Sequence, residues 1–127
     1  MKTIEQTYSI AAPVQQVWQA LTDASVMEQW GAGPANSDIR EGGSFGLWGG
    51  DIHGIYTKLI PEQLIEQDWY GHDHPDWKYQ VVFNLTADGA RDTTLHMIYS
   101  GDIQDEQKDI SDWNEYYFAP IKKLLEQ

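Results

Sequence analysis

From Thr3 to Ile10 the chain alternates. Ile4, Gln6, Tyr8 and Ile10 lie on one side; Thr3, Glu5, Thr7 and Ser9 lie on the other. A period of two predicts a first strand over residues 2–10. Ala11-Ala12-Pro13 interrupts it, and Pro13 suits the first position of a helix. Val14, Val17, Trp18 and Leu21 then recur at i, i+3, i+4 and i+7, which predicts a short amphipathic helix over 13–21. Thr22-Asp23 supplies a stop and a new N-cap. A second short helix through Val26, Met27 and Trp30 follows, closed by Gly31-Ala32-Gly33-Pro34.

The middle of the chain reads as strands. Ser37 to Arg40 predicts a short one, Glu41-Gly42-Gly43 a turn, and Ser44 to Trp48 the return. Ile52 to Ile60 and Gln63 to Tyr70 flank a turn at Pro61-Glu62, and residues 71–76 read as a polar loop. Trp77, Tyr79, Val81, Phe83 and Leu85 alternate onto one face of the next strand. After the turn at Ala87-Asp88-Gly89-Ala90, Leu95, Met97 and Tyr99 do the same over 93–100. Beyond Gly101 the period changes. Ile110, Trp113, Tyr117, Ile121 and Leu124 form one helical stripe, with acids crowding its start and Lys122-Lys123 near its end, the polarity a helix dipole favours. Pro120 cannot donate to residue 116, so a kink or break is expected there. The order β–α–α–β×6–α is an α+β antiparallel design in one domain spanning 1–127.

Composition narrows the function classes. Twenty Asp and Glu against eight Lys and Arg give a net charge of −12. Such a surface repels phosphate backbones and anionic headgroups, so neither nucleic acid nor membrane is an expected partner. The absence of Cys removes thiol nucleophiles, disulfides, iron–sulfur clusters and cysteine zinc sites. No apolar run approaches the ~18 residues of a membrane span. The start MKTIEQTYSI lacks the apolar core of a signal peptide, so a cytoplasmic location is expected.

Four motifs invite chemistry. The run from Gly42 to Gly50 is glycine-rich, but it fits neither GxxxxGK[ST] nor GxGxxG, and no helix follows to receive an anion. Turn and bulge glycines are the expectation. His72-Asp73-His74 with Asp76 offers metal-compatible ligands on a loop without fixed geometry, and no bound metal or other cofactor is expected. Asp51 and His53 share one strand face; they read as a polar solvent-facing edge rather than a general base. The acids from Asp102 to Asp112 read as a solvated helix start. The aromatics, six Trp among them, are spread over nearly every element. They either fill the core or wall a cavity with rigid rings carrying polar tips.

The order of elements, with Ala12-Pro13-Val14, Val17-Trp18-Gln19-Ala20-Leu21-Thr22-Asp23 and Trp30, resembles a known family. The resemblance continues through Asp38-Ile39-Arg40-Glu41-Gly42-Gly43-Ser44-Phe45, Gly54 with Tyr56, Pro61, Trp69 and Trp113. It is to the family named after the activator of heat-shock protein 90 ATPase, in the START-like (SRPBCC, helix-grip) superfamily. The resemblance implies a curved antiparallel sheet wrapped around a long C-terminal helix, with two short helices after the first strand. It also implies an apolar cavity between sheet and helix. The residues placed there are Phe45, Tyr56, Trp69, Tyr79, Val81, Phe83, Leu95, Met97, Tyr99, Trp113 and Tyr117. A non-catalytic module binding a small apolar or aromatic ligand follows, oriented by a tip such as Tyr56, Tyr99 or Tyr117. No catalytic residue is assigned. The alternatives are a cyclase- or dehydratase-like enzyme using the same cavity, and a stress-related protein-interaction module. A monomer or weak homodimer is expected.

Overall fold

The computed structural model describes the backbone of residues 2–71 and 74–126, and the side chains of all of these except 71 and 74–77. The first strand, β1 (Lys2–Ile10), buries Ile4 and Ile10 and turns Thr3, Glu5, Thr7 and Ser9 to solvent, as the alternation requires. α1 (Val14–Thr22) buries Val17, Ala20 and Leu21. Pro13 sits one place earlier than expected, as the extended residue before the helix. α2 (Ala24–Gln29) is capped by Asp23, whose carboxylate accepts from the amides of Ser25 and Val26.

The strand expected over 37–40 shrinks to β2 (Asn36–Ser37). Asp38 to Arg40 instead curl into a turn, closed by the Gly43 amide donating to the Arg40 carbonyl at 2.9 Å. Two further backbone bonds tie this turn to the strand over Ile52–Ile60: Gly42 N–H to the Tyr56 carbonyl, and Tyr56 N–H to the Gly43 carbonyl. A side chain at Gly43 is impossible without movement, because its Cβ would lie 2.1 Å from the Asp38 carbonyl oxygen. β3 (Ser44–Leu47) follows.

β4 (Ile52–Ile60), β5 (Leu64–Gly71), β6 (His74–Ala87) and β7 (Thr93–Gly101) complete one antiparallel sheet of order β1-β7-β6-β5-β4-β3-β2. The loop expected over 71–76 is shorter: strand pairing continues to Gly71 opposite His74. The return of β7 to pair with β1 along nine residues joins the chain's first strand to its last.

The C-terminal segment packs across the inner face. α3 (Glu106–Asp112) starts at Asp105, whose carboxylate accepts from Lys108 N–H. Pro120 neither breaks the segment nor ends it. Between Trp113 and Phe118 the bonding widens, the Ala119 amide reaching back five residues to Asn114, and α4 (Ala119–Leu125) continues with helical dihedrals. A wide turn of this kind gives the Pro120 ring room against the preceding carbonyls, and it falls where the missing donor would leave an α-turn incomplete. The wide turn also presents two consecutive rings, Tyr117 and Phe118, to the sheet. Phe118 stacks on Tyr8 at 4.0 Å, and Trp113 lies 5.0 Å from Trp69 and 5.3 Å from Tyr99.

Candidate ligand site between sheet and helix

Alternation decides which side chains reach the helix. Phe45 on β3, Tyr56 on β4, Trp69 on β5, Tyr79, Val81 and Phe83 on β6, and Leu95, Met97 and Tyr99 on β7 all point inward toward Trp113 and Tyr117. The structure thus brings all eleven expected residues to one place. Nine are buried; Tyr79 and Tyr99 are half-buried and stack on each other at 5.2 Å. Tyr79 donates its hydroxyl to the Asp102 carbonyl at 2.9 Å. Aromatic contacts run on from Phe45 to Tyr56 at 5.1 Å and from Phe83 to Tyr117 at 5.9 Å. Trp30, the residue that ends α2, closes on Tyr117 at 4.8 Å.

The polar groups among these rings are few. Ser37 Oγ lies 2.6 Å from the Tyr56 hydroxyl. Burial pushes the Tyr56 phenol up to about 12, with the Ser37 bond opposing. Burial also raises Tyr117, helped by Tyr56, and raises Tyr99, helped by the nearby Asp109 carboxylate. All three phenols are therefore neutral donors at ordinary pH. Asp109 itself is half-buried, and burial raises its carboxyl against the pull of Lys108.

Gln67 was missed. It stands on the inner face of β5 between Tyr56 and Val81, 1% exposed, and its Oε1 accepts from the Trp69 indole at 2.6 Å. The signal was present in the sequence as one polar residue in the inward phase of Ile65, Gln67 and Trp69.

The other candidates lie elsewhere. Asp51 and His53 do not share a strand face: Asp51 lies exposed in the turn before β4, and His53 is exposed on the outer side of the sheet, stacking on Tyr70 at 5.9 Å. The glycine-rich run makes turns: Gly42, Gly49 and Gly50 have φ of 84°, 68° and 97°. Two amides at its end are engaged within the fold, Trp48 N–H with the Ala32 carbonyl and Gly49 N–H with the Pro34 carbonyl, rather than turned to a phosphate. His72 and Asp73 lie outside the described residues, as do the side chains of His74 and Asp76. Among the described residues no three His, Asp or Glu converge as a metal site. A surface groove of about 540 Å³ runs between Trp30 and Gly31 on one side and Glu115, Pro120 and Leu124 on the other. It is separate from the eleven inward residues.

The raised phenols fix the alkaline behaviour. An acid whose folded pKa exceeds its unfolded value keeps its proton in the folded state while the unfolded chain loses it. Stability is thus full below about pH 10 and declines as pH rises, by about 1.4 kcal/mol per unit for Tyr56 until its folded value near 12 is reached. Urea titrations at pH 8, 10 and 11 check this. A midpoint that holds between pH 10 and 11 contradicts the burial of Tyr56.

No described helix is long and apolar enough to cross a membrane. A solved structure described as an HSP90 activator from Plasmodium falciparum superposes with a TM-score of 0.89 at 20% identity, covering 99% of this chain and 97% of that one. The solution structure of an Aha1 dimer from Colwellia psychrerythraea gives 0.77 at 18% identity, covering 99% and 97%. A structural neighbour thus forms a dimer. The human activator of 90 kDa heat shock protein ATPase homolog 1 is 25% identical over 97% of this chain and 36% of its own length. The chain spans little more than a third of the length of the curated relatives it matches. The sequence model described as activator of Hsp90 ATPase homolog 1-like protein matches residues 11–126, so the chain belongs to that family, with its helix-grip fold.

Proposed function

We propose that the protein is a non-catalytic binder of a small apolar or aromatic molecule, held between the inner face of the sheet and the C-terminal helix. One observation carries this reading. Eleven inward side chains meet there, eight of them aromatic rings within stacking reach of one another, and none carries a charge. Rigid rings bury large area with little loss of side-chain freedom, and their phenol tips give orientation. Binding needs no cofactor. The protein works in the cytoplasm as a monomer or weak homodimer. Native mass spectrometry of freshly purified protein tests the reading. A co-purifying small molecule, displaced on denaturation, is expected. A bare chain whose melting temperature no small aromatic compound raises would contradict it.

A second reading has its own support. A cyclase- or dehydratase-like activity needs a carboxylate facing the site with a raised proton affinity. Asp109 meets that description, half-buried and close enough to Tyr99 and Tyr79 to raise both phenols. Under the binding reading Asp109→Asn leaves ligand affinity within about twofold. Under the enzymatic reading it abolishes turnover of any substrate found.

A further inference from the structure

Among the described residues, two donors on side chains no more than 2% exposed, Gln67 and Tyr117, stand without a protein partner. The Trp69 indole is a donor only, so the atom that receives it must be the Gln67 oxygen. That fixes the amide orientation: Oε1 is committed to Trp69, and the two N–H bonds of Nε2 point away from it. Tyr117 is 2% exposed, and its phenol keeps its proton because burial disfavours the anion. Among the described residues neither Gln67 Nε2 nor the Tyr117 hydroxyl has a hydrogen-bond partner. No fully enclosed side-chain nitrogen or oxygen there lacks one. Both atoms therefore retain a small accessible patch, although their residues are almost wholly buried. An interior donor without a protein partner is a receptor for an acceptor atom, because leaving the bond unmade is costly.

From these two donors we infer the class of ligand: a neutral, mainly apolar molecule bearing a carbonyl-type oxygen, which Gln67 Nε2 and the Tyr117 hydroxyl bind. This inference rests on the binding reading above and adds its chemistry. The charge state of the site selects the class. No cation stands among the inward residues to pair with a carboxylate, and stripping an unpaired anion of water is prohibitive. An ammonium ligand would bring only donors to a site that itself offers donors. A pure hydrocarbon would leave both groups unpaired.

A matched set of probes tests this. Acetophenone, α-methylstyrene and benzoate share size and planarity and differ in the polar group. Affinities are read by tryptophan fluorescence on the full chain, with near-ultraviolet circular dichroism confirming the fold of each variant. Tyr117→Phe removes only the hydroxyl. It is expected to lower the ketone-to-alkene affinity ratio about tenfold, the effect of one hydrogen bond. Gln67→Met is expected to lower the same ratio by a similar factor, and because it also strips the Trp69 indole of its acceptor, Tyr117→Phe is the cleaner variant. Benzoate is expected to bind at least tenfold more weakly than acetophenone. A ratio unchanged by Tyr117→Phe, or benzoate binding more tightly than the ketone, overturns the assignment while leaving the site itself standing. Failure of all three probes to bind the parent overturns the site and the assignment together.

Discussion

A chain truncated before Ser111 is expected to lose its near-ultraviolet signal and its cooperative melting, and to aggregate. Trp113, Tyr117, Phe118 and Ile121 are all at or below 6% exposure. Each contributes roughly 1.5–3 kcal/mol of burial, comparable in sum with the whole stability of a domain this size. Truncation also uncovers the inner faces of β1, β5, β6 and β7, since Phe118 covers Tyr8 and Trp113 covers Trp69 and Tyr99. The point substitution Trp113→Ala gives the graded version, with an expected loss of about 3–5 kcal/mol in urea unfolding. A truncated chain with native spectra and a sharp melt would show that the sheet does not depend on this helix.

Gly54→Ala is expected to cost about 3 kcal/mol or more, a large effect for a single methyl group. Gly54 lies in the middle of β4, opposite Trp69 of β5 and Phe45 of β3. A Cβ there would fall 1.9 Å from the Asp68 carbonyl oxygen and 2.8 Å from the Phe45 ring. The first of these is backbone, so rotating a side chain does not relieve it. Either the β4–β5 ladder opens locally or Phe45 is displaced from Tyr56 and Trp69. Denaturant unfolding reads the loss directly. A change below 0.5 kcal/mol would mean the sheet bends easily at this point.

How legible this was depended on whether the determining contacts were local. The alternation of β1 and β7 and the stripe from Ile110 to Leu124 announced their inner faces, because each is set by one element's own period. Residues 37–40 were misread as a strand because their shape is set from a distance. Gly42 and Gly43 bond to Tyr56, and the resulting turn leaves Ile39 48% exposed. Pro120 reads as a kink or break as long as the segment is taken for an uninterrupted α-helix. The wide turn at 113–118 accommodates the Pro120 ring and packs Tyr117 and Phe118 together against Phe83, a contact between elements that the helical period does not carry. The eleven inward residues were reachable through the family resemblance, whereas Gln67 and Asp109 were not singled out. Gln67 looks like an error in an apolar phase until its bond to Trp69 is seen. Asp109 is one acid among several, and its proximity to Tyr99 appears only once helix and strand are docked.

The melting of Val81→Trp tests the central claim most directly, namely that the inward residues enclose room for a ligand. Val81 is fully buried on β6 between Gln67 and Tyr99, in the middle of the inner face. If space lies in front of it, the indole fills that space. The variant then melts close to the parent, and parent-level binding of acetophenone disappears. If the rings are close-packed, the indole forces them out of their rotamers at a cost of about 1–3 kcal/mol or more. A variant melting within about 2 °C of the parent and blind to the ketone is the predicted result. A strongly destabilised variant, together with a parent that binds no apolar probe, would mean that the aromatic residues are core and that there is no site between sheet and helix.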